Sequence, residues 1–110
     1  MTKNSILLLM FSLLFSSITL AGEIFGTLRE GGKAATKGIK VEIVTPKKTY
    51  TTITDTYGSY RLYVLEKGKC TLNVYFKNQI PSFDLYSYDK STRYDMSLET
   101  KDGKYLLKRK

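Results

Sequence analysis

Three of the four arginines in this 110-residue chain, Arg29, Arg61 and Arg93, fall at outward positions of segments in which apolar and polar residues alternate. Arg29 follows Ile24, Gly26 and Leu28; Arg61 stands between Tyr60 and Leu62; Arg93 precedes Tyr94, Met96 and Leu98. A guanidinium is a planar fork of donors that fits carboxylate and phosphate and stacks on flat rings. With Phe25 and Tyr63 at neighbouring outward positions, the set Arg29, Arg61, Arg93, Tyr63 and Phe25 has the chemistry to bind an acidic or sugar ligand. This requires a fold that brings the three segments onto one sheet face. The alternative is a solvated face on which Arg93 or Arg61 pairs with Asp95, a cross-strand ion pair worth only ~0.2–1 kcal/mol. A weaker candidate set lies on another sheet: Tyr50, Thr52, Lys40, Asn73 and Tyr75.

Catalytic chemistry is poorly supplied. The chain has no histidine, the commonest acid/base near neutral pH, the usual metal ligand and the centre of a hydrolytic triad. Its one cysteine, Cys70, has no local partner to lower its pKa, and it shares a face with Leu72, Val74 and Phe76. The acidic residues stand mostly beside lysines or in turns, no acidic run has calcium-loop spacing, and no glycine-rich loop leads from a strand into a helix. We expect no enzyme, no catalytic residue, no metal site and no cofactor.

The elements that would position the arginines are short strands. Thr54-Asp55 followed by Gly58 and then Tyr60 and Leu62 at alternate positions is a tight corner feeding a half-buried strand. Asp55 suits backbone N–H groups of the turn and Gly58 a positive φ, so both are read as structural turn residues. Strand candidates are Glu23 to Arg29, Ile39 to Thr45, Thr49 to Thr54, Ser59 to Leu65, Lys69 to Lys77, Ile80 to Tyr86, Thr92 to Glu99 and Lys104 to Lys108. Breakers such as Gly31-Gly32, Pro46-Lys47 and Lys67-Gly68 separate them, and Asp102-Gly103 is a hairpin dipeptide. So many short strands, each with one apolar face, predict an all-β fold of two stacked antiparallel sheets.

The order Ile24-x-Gly26-x-Leu28, Gly38-Ile39-x-Val41-x-Ile43, Thr54-Asp55-x-x-Gly58-x-Tyr60-x-Leu62 and Gly68-x-Cys70-x-Leu72-x-Val74 resembles the carboxypeptidase regulatory-like domain. The resemblance implies a transthyretin-like sandwich of about seven strands, also classed with carbohydrate-binding-like folds, in which the first, fourth and last strands share a sheet. It implies a module that sits beside other domains rather than a peptidase. Cys70 departs from the family, which usually has an aromatic residue there. The hydrolase branch of the transthyretin-like group works on hydroxyisourate with histidines and a short C-terminal tail, and this chain carries neither.

Residues 1–21 read as a signal peptide: Lys3, an apolar run from Ile6 to Phe15, then small residues ending Thr19-Leu20-Ala21. The apolar run is shorter than the ~20 residues a spanning helix needs, so no anchor is expected after cleavage. Residues 22–110 form one domain, periplasmic or secreted, with 17 basic against 10 acidic side chains once Lys3 is removed. That balance favours anionic partners: phosphorylated or uronic envelope polymers, or acidic proteins, with extracellular nucleic acid the least expected. Two functions follow: a binding module for an anionic or carbohydrate envelope ligand, or a structural accessory that docks on a larger envelope or secreted protein. The exported protein is expected to begin at Gly22, and intact-mass measurement of natively expressed protein checks this; a mass that includes Met1–Ala21 would refute it.

Overall fold

In a computed structural model, residues 22–110 are described; the expected signal peptide lies outside the described residues. Ten strands follow one another: β1 Gly22–Glu30, β2 Lys33–Ala34, β3 Lys40–Val44, β4 Thr49–Ile53, β5 Ser59–Val64, β6 Gly68–Tyr75, β7 Ser82–Ser87, β8 Thr92–Arg93, β9 Met96–Lys101 and β10 Lys104–Arg109. Two sheets result. One has the order β10-β9-β1-β2, with β5 and β8 also on β1, and the other has the order β4-β3-β6-β7. The all-β sandwich expected from the alternation is the observed architecture. Among the described residues no helix is long and apolar enough to cross a membrane.

The alternation explains why the sheets stack. Ile24 and Leu28 of β1, Tyr60, Leu62 and Val64 of β5, and Met96 and Leu98 of β9 are buried on the inner face of the six-stranded sheet. Val41 and Ile43 of β3, Cys70, Leu72 and Val74 of β6, and Leu85 of β7 are buried on the facing side. Each such side chain stabilises the fold by roughly 1.5–3 kcal/mol relative to exposure, and with no disulfide available this packing has to carry the domain. Cys70 is a buried member of the core, its Sγ 3.4 Å from the Gly68 carbonyl, and burial pushes its thiol pKa up.

Polar groups lock the edges of this core. The Thr54 hydroxyl is buried; it accepts from the Ile39 N–H at 3.0 Å and donates to the Thr36 carbonyl at 2.8 Å, tying the β2–β3 connection to the end of β4. The Tyr94 hydroxyl donates to the Tyr86 carbonyl at 2.9 Å and accepts from the Tyr86 N–H at 3.2 Å, which joins the two sheets. The Gln79 side chain accepts from the Tyr105 N–H at 2.8 Å and donates to the Gly103 carbonyl at 3.0 Å, holding the β9–β10 hairpin to the turn after β6.

Three features depart from the expected strand list. Gly31-Gly32, at φ 58° and 81°, closes a hairpin that adds the two-residue β2. Lys77-Asn78, at φ 47° and 63°, makes a tight turn without glycine. The expected strand Thr92 to Glu99 is broken into β8 and β9 at Tyr94-Asp95, and both pieces run parallel to β1, a parallel element in an otherwise antiparallel fold. The Asp102-Gly103 hairpin forms as expected, with φ 53° and 78°, and pairs β9 with β10.

The Thr54–Leu62 corner has the geometry its residues require. Asp55 Oδ1 accepts from the N–H groups of Tyr57 and Ser59, both at 2.9 Å, and Gly58 has φ 72°. A Cβ on Gly58 would stand 2.6 Å from the Leu28 carbonyl oxygen and 3.0 Å from the Ala35 nitrogen, whereas Gly103, at φ 78°, has open space around it. Both positions carry the strain of a left-handed residue, ~1–3 kcal/mol, but only Gly58 adds a backbone collision. Gly58→Ala should therefore lower the melting temperature well beyond Gly103→Ala, and Gly58→Val more again. Thermal unfolding of the three variants measures this, and equal shifts at both sites would contradict the collision.

Candidate functional site

The registers of β1 bring part of the arginine set together. Glu23, Phe25, Thr27 and Arg29 alternate with the buried positions of β1 and share its outer face. Phe25 pairs with Arg61 across the antiparallel β1–β5 ladder and with Arg93 across the parallel β1–β8 ladder, so Arg61, Phe25 and Arg93 form one row over three strands. Strands are spaced ~4.8 Å apart, which separates the two arginine backbones by ~10 Å. The side chains converge. The Arg61 guanidinium carbon lies 5.4 Å from the Phe25 ring centroid and that of Arg93 5.8 Å. Both are within cation–π range, so the ring serves as a platform that positions two guanidinium groups rather than as a free stacking surface.

Each guanidinium is held by a carboxylate through its Nε. Arg61 Nε is 3.2 Å from Glu23 Oε2, and Arg93 Nε donates to Asp95 Oδ2 at 2.9 Å and Oδ1 at 3.1 Å. Arg93 thus takes the Asp95 partner expected for a solvated face, while Arg61 takes Glu23 instead. The row is locally neutral. Among the described residues no hydrogen bond engages the terminal amino groups of either arginine, so both forks remain available as directed donors.

The two carboxylates are themselves anchored. Glu23 Oε1 accepts from the Ser91 hydroxyl at 2.7 Å; that bond chiefly, with Tyr63 and Arg61, holds its carboxyl below the usual range against a cost of burial. Asp95 Oδ1 accepts from the Thr27 N–H at 2.9 Å and from the Thr27 hydroxyl at 3.1 Å. Burial works against its ionisation, but the bonds from Arg93 and Thr27 outweigh it and keep the Asp95 carboxyl below its ordinary value.

The other expected site residues lie apart from the row. Arg29 is four positions from Phe25 on β1, roughly 13 Å away at ~3.3 Å per residue, and its guanidinium donates to the Gly32 carbonyl at 3.0 Å. Tyr63 pairs with Glu23 across the ladder and is 58% exposed, flanking Arg61 on β5. The second candidate set divides between two faces. Lys40 and Tyr75 pair on the outer face of the four-stranded sheet, where the Tyr75 hydroxyl and the Asn73 amide both bond Glu42. Tyr50 and Thr52 instead pair with the buried Ile43 and Val41 and so lie on the inner side.

Beside the row lies an open concavity of about 510 Å³ that the arginine pattern does not predict. Thr52, Ile53 and Asp55 at the end of β4 form one wall, while Ser59, Arg61 and Phe25 form the other. Hydroxyl, carboxylate and guanidinium groups surround a shallow opening. The signal missed was Glu23, outward and two residues before Phe25; the β4 wall depends on how the sheets close and has no local signature. Among the described residues no three His, Cys, Asp or Glu side chains come together in a way that could hold a metal ion.

A depressed carboxylate stabilises the fold while ionised. The contributions of Asp95 and Glu23 are complete above their ordinary values of 3.8 and 4.5, and are lost as pH falls through the lowered ones. The melting temperature should therefore fall as the pH drops below about 4, and Asp95→Asn, which keeps an acceptor for Thr27 but no charge for Arg93, should lessen that fall. Thermal melts from pH 6 to pH 2 decide it, and parallel profiles would show that Asp95 carries none of the dependence.

No family model matches the chain, and no curated protein matches it in sequence. Solved structures are similar in shape. The Bacillus anthracis TIE protein matches with a TM-score of 0.58 at 12% identity over 70% of this chain and 16% of its own. A candidate cell adhesion protein of Bacteroides fragilis matches with a TM-score of 0.49 at 10% identity over 83% of this chain and 45% of its own. The chain thus spans less than half the length of either. At this identity the first likeness supports an all-β domain and nothing about activity.

Proposed function

We propose that residues 22–110 are an exported, non-enzymatic module of the carboxypeptidase regulatory-like kind that binds an acidic carbohydrate of the cell envelope. The observation that carries the reading is the Arg61–Phe25–Arg93 row, in which one ring positions two guanidinium groups whose outer edges have no partner among the described residues. Local neutrality favours directed hydrogen bonding over bulk attraction. A carboxylated or phosphorylated glycan offers anionic groups to the two forks and hydroxyls to Thr52, Asp55 and Ser59 along the concavity. Its openness suits a polymer lying across the surface better than an engulfed small molecule. The family reading is supported by the Asp55–Gly58 corner and the strand order, and the exported location by the signal-like first 21 residues.

A second reading, an accessory domain docked on a larger protein, is favoured by the occurrence of a similar fold as 16% of a longer chain. Retention on an acidic-polysaccharide column, eluted with salt, separates the two. Arg61→Lys with Arg93→Lys keeps the charge but removes the forks, and should elute at clearly lower salt than the unmodified domain. Replacing Lys47, Lys48 and Lys67 by Gln removes three charges and should shift elution less; Arg29→Gln should also have a small effect. Equal or reversed shifts would mean that net charge drives the binding. No retention at low salt would favour the accessory reading.

A further inference from the structure

The edge strands of the two sheets are not protected alike. β5 carries Arg61, the two-residue β2 and β8 carry Lys33 and Arg93, β7 carries Asp84, and β10 carries Lys104, Lys108 and Arg109; charges of this kind discourage an edge from pairing with another chain. The remaining edge, β4, reads Thr49-Tyr50-Thr51-Thr52-Ile53, with no charge, glycine or proline and only strand-favouring residue types. Thr49, Thr51 and Ile53 are exposed, Ile53 to 61%.

The backbone of β4 is in phase for a further strand. Bonds at the two ends of its ladder, from the Thr45 N–H to the Lys48 carbonyl at 2.8 Å and from the Thr54 N–H to the Ile39 carbonyl at 2.9 Å, fix the alternation. Lys48, Tyr50, Thr52 and Thr54 therefore direct their main-chain groups at β3. Thr49, Thr51 and Ile53 direct theirs away from it, and none of these has a hydrogen bond among the described residues. The flanks carry opposite charges: Lys47 and Lys48 precede β4, and Asp55 follows it.

We propose that β4 is the pairing edge for a second copy of this chain, antiparallel and centred on Thr51 against Thr51 of the other copy. That register joins outward-pointing residues only, Thr51 to Thr51 and Thr49 to Ile53, as bonded pairs of an antiparallel ladder. It also sets Lys47 of each copy opposite Asp55 of the other, a charge match that a two-fold axis at Thr51 produces twice. Thr–Thr and Ile–Thr neighbours on the outer face suit cross-strand contact. An edge of five residues makes a small interface, so the dimer is weak and concentration-dependent.

Sedimentation over a rising concentration series tests this with paired variants. Because Thr51 faces itself, Thr51→Lys and Thr51→Glu should each be monomeric, since like charges then oppose across the axis, and an equimolar mixture should recover the dimer as a heterodimer. Thr51 is exposed and pairs with Glu42 inside its own chain, so Thr51→Lys is well tolerated, and melting curves verify the folding of both variants. In the unmodified protein, amide exchange at Thr49, Thr51 and Ile53 should slow with concentration while Tyr50 and Thr52, already bonded, stay unchanged. A monomer at every concentration, a dimer that survives Thr51→Lys, or a mixture that stays monomeric would each overturn the proposal.

Discussion

The fold depends on β1 satisfying strands of opposite direction on its two sides, antiparallel β5 and parallel β8–β9. On the parallel side the chain leaves the ladder at Tyr94-Asp95, and two residues make this workable. Gly26 has no side chain where the Tyr94 carbonyl approaches; a Cβ there would lie 2.0 Å from that oxygen. Asp95 then supplies by side chain the acceptor that the detached backbone no longer offers to the Thr27 N–H. The Tyr60 hydroxyl also bonds the Tyr94 carbonyl, and its burial pushes the phenol pKa well above the usual value. From this junction come the outward aim of Arg93, the inward aim of Tyr94 and its bond across to β7.

The same junction explains what could be read from the residues and what could not. Alternation at Ile24-Leu28, Tyr60-Val64 and Cys70-Val74 marks strands whose buried face is independent of their neighbours, and these strands appear where the pattern puts them. Asp55 and Gly58 are also legible because a turn is a local object whose chemistry lies within a few residues. The break inside Thr92 to Glu99 is different. Its cause is a carboxylate bonding an amide 68 positions away, and nothing near Asp95 in sequence announces it. The Lys77-Asn78 turn likewise has no local signature: it contains no glycine, and two of the groups around the Lys77 ammonium, Glu30 of β1 at 3.4 Å and the Tyr105 ring of β10, are far away in sequence, the third being the ring of its neighbour Phe76.

For the arginines, outwardness was local information and proximity was not. Arg61 and Arg93 meet over Phe25 because two registers happen to select the same β1 residue, and Arg29 misses the row although its position on the outer face is correct. Sheet face and position along the strand are separate coordinates. The carboxylates matter as much as the arginines, since Glu23 and Asp95 hold each guanidinium by Nε and thereby fix the direction of its free edge. A row neutralised in this way has little long-range pull, so on the proposed glycan-binding reading the domain's net positive charge, carried largely by lysines elsewhere, would concentrate an acidic polymer near the surface and the two forks would set how it lies.

Ile53 connects the glycan-binding reading and the pairing edge physically. It forms part of the concavity wall and is also the last residue of β4 to direct its main chain outward. A strand seated on β4 would build up the wall of the concavity from outside, and a polymer lying in the concavity would contact the end of the same edge. If both events occur, neither is independent of the other: a change in polymer affinity on pairing entails an equal change in pairing affinity on polymer binding. The sign follows from geometry at Ile53. A polymer that stops at the concavity gains contact from the added wall and favours pairing, whereas one that continues across β4 must displace the second strand and opposes it.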